Sequence, residues 1–109
     1  MAVHHLKINK EYWEPTISGT MPFTVRRDDR GFQKGDVIVF HKYDSSPENG
    51  GFLSIDGRYV RDSTYSFRSK DPYDADMCEL EISYVLTGGQ YGIESGYVIL
   101  GLKPCAHRG

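Results

Sequence analysis

The chain has 109 residues, of which 26% are charged and 39% hydrophobic, values typical of one globular domain that folds without disulfide support. Its net charge of −2 provides no overall basic field, so nucleic-acid binding would require a local basic patch. The length predicts a single domain over residues 1–109. The chain has two cysteines, no apolar run near the ~20 residues of a membrane span and no signal-peptide core in "MAVHHLKINK". We expect it in the cytoplasm, with reduced thiols and no membrane partner.

The start of the chain predicts a strand followed by a short helix. His4–Ile8 alternates and ends in a β-branched residue, which favours a strand. Asn9 is predicted to cap the helix, and Ser18-Gly19 to end it with glycine in a left-handed conformation. Pro15 removes one helical donor, so we expect a short or kinked helix. Four residues at helical spacing form its predicted packed face: Tyr12, Trp13, Thr16 and Ile17.

Two further strands are predicted before residue 45. Pro22–Arg27 alternates, which places Phe23 and Val25 on one face and Thr24 and Arg26 on the other. Gly35-Asp36 is predicted to form a structural turn into the next strand, Asp36–Asp44, and to carry no chemistry. The apolar run at 37–40 predicts burial of that strand on both faces.

Residues 45–77 form a predicted insertion or flap. Two short strands are expected around Asp56-Gly57, a two-residue hairpin signal. The segment also interleaves aromatic residues with four cations, which suits nucleic-acid contact, although a polar surface excursion accounts for it as well. The four cations are Arg58, Arg61, Arg68 and Lys70.

The C-terminal part predicts two long strands joined by the glycine-rich link at 88–96. Cys78–Thr87 alternates, and one face should carry Leu80, Ile82, Tyr84 and Leu86. Tyr97–Pro104 is predicted to be a largely buried strand. Short strands with one helix near the start indicate a mainly β (α+β) fold, a partly open β-barrel with one or two short helices.

The motif Gly19-x-Met21-x-x-Thr24-x-Arg26 resembles the G-x-K-x-x-[ET]-x-R motif of ASCH domains, which belong to the PUA-like superfamily. "HxLKI" at 4–8, "FxVRxDDRxFxxGD" at 23–36 and "ISYVLTGGQYGIESGYVILGL" at 82–102 together resemble an uncharacterised bacterial and phage branch of that superfamily. Residues 45–77 are longer than that branch implies. The resemblance implies a PUA-like barrel with a cleft beside the first helix that holds RNA or a nucleotide.

The resemblance implies a binding site lined by Lys7, Thr24 and Arg26. The planar fork of Arg26 suits a phosphate or a base edge, while an internal ion pair with Asp28, Asp29 or Asp36 is the structural alternative. Lys7 is a candidate phosphate contact. Outside that set we assign Arg30, from the basic hairpin, and Tyr91, an expected exposed stacking face beside glycines. The structural alternative for that hairpin is a solvated turn with weak surface ion pairs.

The residues and the resemblance leave three functions open. The first is a module that binds RNA or a modified nucleotide or nucleobase. The second is a small amidohydrolase for N4-acetylcytidine-type substrates, with Thr24 and Lys7 as catalytic residues; Met21 argues against it, because methionine stands where the motif has lysine and takes no proton. The third is a phage-encoded protein that engages a host factor. No cofactor is expected, and the histidines and cysteines lack metal-ligand spacing.

Overall fold

The computed structural model describes residues 1–46, 51–53, 59–60 and 77–105. The described elements, in chain order, are β1 (Val3–Asn9), α1 (Lys10–Ser18), β2 (Phe23–Arg27), β3 (Val37–Asp44), β4 (Gly51–Leu53), β5 (Tyr59–Val60), β6 (Met77–Thr87) and β7 (Tyr97–Pro104). One sheet that curls into a partly open barrel contains all of these strands, which confirms the predicted mainly β fold. Within the described ranges, no helix has the length and apolar character needed to cross a membrane.

The strand order of the sheet is β2-β7-β6-β3-β4-β5, and β1 pairs in parallel with β3. The pairing of Leu6 with Phe40 fixes the register of β1 against β3. At the other side of the sheet, antiparallel pairing sets Thr24 of β2 opposite Leu100 of β7. The strands β4 and β5 flank the predicted Asp56-Gly57 hairpin. That hairpin itself, and most of the predicted flap at 45–77, lie outside the described residues.

The core lies on the inner face of the curled sheet. Its buried members come from β1, α1, the turn before β3, and strands β3, β6 and β7: Leu6, Ile8, Trp13, Phe32, Ile38, Phe40, Ile82, Val98, Leu100 and Leu102. The five residues from Val37 to His41 are all buried, which confirms that the apolar run of β3 is covered on both faces. Each large apolar side chain buried here contributes about 1.5–3 kcal/mol.

Helix α1 is short, as expected, and packs through a narrower face than the sequence predicts. Gly19 ends the helix with φ 81°, while Asn9 occupies the N-cap position without a side-chain hydrogen bond to the helix. Trp13 and Thr16 are buried, but Tyr12 and Ile17 are exposed. The predicted four-residue face is therefore wrong at its two edges, because only its central stripe reaches the sheet.

A β-bulge in β6 corrects the predicted alternation of that strand. Ile82 pairs with Leu102 and Tyr84 pairs with Gly101, so Ser83 is an extra residue between them. One inserted residue moves every later side chain to the other face. Tyr84 is consequently exposed, and Val85 packs against the core in its place.

Strand β2 alternates as predicted, with its polar residues facing inward. Thr24 is buried and Arg26 half-buried, whereas Phe23 and Val25 are exposed. Pairing across β2, β7 and β6 places Phe23 in one row with Tyr84, through Gly101. Phe23 and Val25 therefore lie on the side of β2 opposite Thr24 and Arg26. Because β2 is an edge strand of the sheet, residues of both its sides can border a cleft at that edge.

Candidate functional site

The open side of the barrel is a seam between β1 and β2. In the described part of the chain, β1 pairs with β3 and β2 pairs with β7, and no ladder joins β1 to β2. Two arginine side chains cross the seam instead. Arg26 Nη2 donates to the carbonyl of Lys7 at 2.6 Å, and Arg30 Nη1 donates to the carbonyl of His5 at 3.2 Å. His5 and Lys7 are two residues apart, so their backbone groups face the same side of the strand.

Arg26 is held at the centre of the seam by three contacts. Besides the bond to Lys7, its Nε donates to Thr24 Oγ1 at 3.2 Å, and its guanidinium carbon lies 5.6 Å from the centroid of the Phe40 ring. Burial, and next the nearby charge of Arg30, lowers the pKa of Arg26. Within the described residues Arg26 makes no ion pair, so the acidic partners considered in the sequence analysis are not its partners there.

The Arg26–Lys7 bridge separates two clefts, which both include Arg26 and Lys7 in their walls. The larger one, the seam cleft, has a volume of about 700 Å³ and opens toward the end of β1 and the start of α1. Its apolar and aromatic walls come from Ile8, Tyr12, Met21, Phe23, Val25 and Tyr43. Its polar lining comes from Lys7, Asn9, Thr24, Arg26 and Ser45.

The seam cleft brings together three of the predicted site residues. Lys7 Nζ lies 4.4 Å from the centroid of the Tyr43 ring, a cation–π contact. Thr24 accepts from Arg26, which leaves its own hydroxyl proton for another acceptor. Met21, where the motif has lysine, is half-buried in the same lining.

Sequence reasoning missed two aromatic residues of this cleft. Tyr12, 50% exposed, was assigned to the packed face of α1, and Phe23, 43% exposed, to one face of an alternating strand. Both line the seam cleft. Their aromatic character next to the Gly19–Arg26 motif is the signal that would have found them.

The smaller cleft, the basic cleft, has a volume of about 300 Å³ and lies toward the start of β1. Its residues are His5, Leu6, Lys7, Arg26, Arg27, Asp29, Arg30 and Phe32. Three of these are arginines and one is acidic, so the lining is net positive. The amine of Lys7 itself lies over the Tyr43 ring of the seam cleft. Burial, and next the charge of Arg30, lowers the pKa of His5, which keeps this imidazole neutral at pH 7.

Tyr91 lies away from both clefts. It occupies a tight turn in which Gly89 N–H donates to Ile93 O and Ile93 N–H donates to Gln90 O. Its side chain is 85% exposed and its φ is 53°. Of the five predicted binding residues, Lys7, Thr24, Arg26 and Arg30 meet around the seam, and Tyr91 is not among the lining residues of either cleft.

A buried pair, His4 and Asp36, ties the start of the chain to the turn before β3. Asp36 accepts from His4 Nε2 at 2.9 Å, from Ala2 N–H at 3.0 Å and from Gln33 N–H at 3.1 Å. This arrangement agrees with the structural role predicted for Gly35-Asp36. In the described ranges, no group of three or more histidine, cysteine or acidic residues could hold a metal ion.

A family model described as a domain of unknown function (DUF3850) matches residues 3–102, a range that contains the whole seam and both clefts. No curated protein matches the chain.

Proposed function

The chain belongs to the DUF3850 family of domains of unknown function, and from that premise we propose that it is a binding module which holds one nucleotide unit, of RNA or of a modified nucleotide, in the seam cleft. It would act in the cytoplasm of a bacterial cell, encoded by the bacterium or by a phage, in keeping with the resemblance to a bacterial and phage branch of the PUA-like superfamily. The observation that carries the proposal is the convergence of Lys7, Thr24 and Arg26 with the exposed aromatic residues Tyr12 and Phe23 in the lining of one cleft.

The size and lining of the seam cleft support a nucleotide-sized ligand. A volume of about 700 Å³ falls in the range of small-molecule sites, about 300–1,000 Å³. Exposed aromatic rings stack on unpaired bases and contribute about 1–3 kcal/mol per base. Arg26 uses Nε and one Nη2 hydrogen within the protein. Its three other N–H donors have no partner among the described residues, and their planar arrangement suits a base edge or a phosphate.

Met21 supports recognition over catalysis. It stands in the lining at the position where the ASCH motif has lysine, and a thioether neither takes nor gives a proton. Lys7 supplies an amine to the same cleft, but its Nζ packs over the Tyr43 ring as a cation, the form that attracts a phosphate group. The amidohydrolase alternative therefore depends on Lys7 leaving this contact.

The proposal is tested by fluorescence anisotropy with short labelled RNA and by titration with cytidine and N4-acetylcytidine. Replacement of Phe23 by alanine should weaken binding about 5- to 150-fold, the loss of one stacking contact. Tyr84→Ala is the matched control, because Tyr84 is an exposed aromatic residue that lines neither cleft. Equal effects of the two substitutions, or no binding of any probe, would contradict the proposal.

The same samples decide between the alternatives. Release of cytidine from N4-acetylcytidine, abolished by Thr24→Ala, would replace the binding proposal with the amidohydrolase. A host protein that binds the chain after nuclease treatment, while every nucleotide probe fails to bind, would favour the interaction protein.

A further inference from the structure

We propose that the basic cleft is a phosphate subsite and that the ligand is a single strand of RNA crossing the Arg26–Lys7 bridge, with a base in the seam cleft and the adjoining phosphodiester in the basic cleft. The base position rests on the proposed function, whereas the phosphate position rests on the basic cleft itself. The inference selects an RNA strand over a free nucleobase or nucleoside.

The charge of the basic cleft is the first argument. The arginines in its lining are Arg26, Arg27 and Arg30, against a single carboxylate, that of Asp29. Asp29 is exposed, and its oxygen lies 3.6 Å from Arg30 Nε. It offsets one positive charge, and three arginines less one carboxylate leave a net charge of +2 among these residues. Burial is the main cause of the lowered pKa values of Arg26 and His5, and the charge of Arg30 is the second cause, so the Arg30 charge lies close to both groups. A bound anion would relieve the repulsion between these arginines.

The hydrogen-bond donors of the two bridging arginines are the second argument. Arg30 uses one of its five N–H groups on the His5 carbonyl, and Arg26 uses two on Lys7 and Thr24. Each guanidinium is thus anchored on one side while other donors have no hydrogen-bond partner among the described residues. Anchoring reduces the side-chain entropy that phosphate binding would cost.

The contrast between the adjacent clefts is the third argument. The walls of the seam cleft are largely aromatic and apolar, whereas the basic cleft is lined by three arginines. Lys7 and Arg26 belong to the walls of both clefts. Proteins that bind single strands combine aromatic surfaces for the bases with a positive groove that follows the backbone. In the seam these two surfaces lie side by side, on either side of the Arg26–Lys7 hydrogen bond.

The test compares a fluorescein-labelled RNA hexamer with unlabelled cytidine, each titrated over a range of salt concentrations. Arg30→Gln removes a charge from the basic cleft, and Lys34→Gln is its matched control, since Lys34 is exposed and lines neither cleft. We expect Arg30→Gln to weaken hexamer binding and to make the salt slope shallower by about 0.7, the value for one phosphate contact in a single strand. Cytidine binding should not change, and Lys34→Gln should change neither.

The outcomes separate this inference from the proposed function. If cytidine binds and Phe23→Ala weakens it, but Arg30→Gln and Lys34→Gln affect the hexamer equally, the phosphate subsite is overturned and the proposed function stands. If neither probe binds, both are overturned. Circular dichroism checks that Arg30→Gln folds; should it not fold, Arg30→Lys, which keeps the charge but loses the fork, must weaken hexamer binding with an unchanged salt slope.

Discussion

Replacement of Asp36 by asparagine is predicted to cost a large part of the stability of the protein. Asp36 is buried, with 4% of the residue exposed. Oδ1 accepts from Ala2 N–H, and Oδ2 accepts from His4 Nε2 and Gln33 N–H. Because an ionised carboxylate only accepts hydrogen bonds, the geometry assigns a proton to His4 Nε2.

The magnitude follows from these three bonds. In its best placement the asparagine oxygen keeps the bonds from His4 and Gln33, and its amide nitrogen then faces the N–H of Ala2. The lost bond costs about 1–3 kcal/mol. The two retained bonds lose their charged acceptor, which weakens each by about 1 kcal/mol. We therefore expect Asp36→Asn to lower the free energy of unfolding by about 3–5 kcal/mol at pH 7, against a total of about 5–15 kcal/mol for a domain.

The loss should depend on pH in one direction. Burial raises the pKa of Asp36, but the hydrogen bonds from Ala2, His4 and Gln33 outweigh it and hold the pKa below its ordinary value of 3.8. Since the unfolded chain binds the proton more readily, this stabilisation is fully present above about pH 5 and is lost as pH falls through 3.8 toward the folded pKa. The difference between wild type and Asp36→Asn should therefore shrink in acid.

Urea unfolding, followed by the fluorescence of the single tryptophan, Trp13, measures both effects at pH 7 and pH 3. Asp28→Asn is the control, because Asp28 is exposed and its substitution should change stability by less than about 0.5 kcal/mol. A loss below 1 kcal/mol for Asp36→Asn at pH 7, or a deficit that is the same at both pH values, would refute the reasoning.

Two further predictions concern the link between β6 and β7. Tyr91→Asn should raise the free energy of unfolding by about 1 kcal/mol, because the φ of 53° suits asparagine better than tyrosine. Thermal unfolding measures this gain, and a loss of stability in the variant would contradict the prediction. Gly88→Ala should destabilise by more than Gly89→Ala, since a Cβ at Gly88 would collide with the Glu94 and Tyr97 carbonyls while one at Gly89 meets open space. Urea unfolding of the two variants compares them, and equal losses would show that the link shifts to admit the methyl group. The Gly89→Ala loss should be about 1–2 kcal/mol, the cost of its positive φ.

Much of the fold could be predicted because local patterns specify it. The apolar run of β3 predicts burial on both faces, and Gly19 marks the end of α1. The bulge at Ser83 could not be predicted, because Ser83 fits an alternating strand by itself. In the structure its hydroxyl lies where a side chain at Gly101 would be, a contact between two strands that the sequence around Ser83 does not show. Likewise, alternation in β2 separates Thr24 from Phe23 but does not tell which side faces inward.

The sequence predicted the polar residues of the candidate site but missed two of its aromatic residues, Tyr12 and Phe23. Lys7, Thr24 and Arg26 were found through a sequence motif, and they meet in the structure. Tyr12 was assigned to the packed face of α1, because helical spacing alone cannot distinguish a core stripe from a cleft wall. The bridge from Arg26 to the Lys7 carbonyl depends on the approach of two strands that do not pair, which no local pattern encodes.

The pairing of β2 with β7 has a consequence for synthesis on the ribosome. Phe23 pairs with Gly101, so β2 cannot join the sheet until the ribosome has synthesised almost all of residues 3–102. Throughout that interval Phe23 and Val25, which remain exposed even in the folded protein, lie on a strand without its neighbour. Such long-range pairing slows folding and exposes strand edges to other chains. Arg26 and Arg27 at the end of β2, and Asp28, Asp29 and Arg30 directly after it, place charge at this strand, where it opposes association between nascent chains.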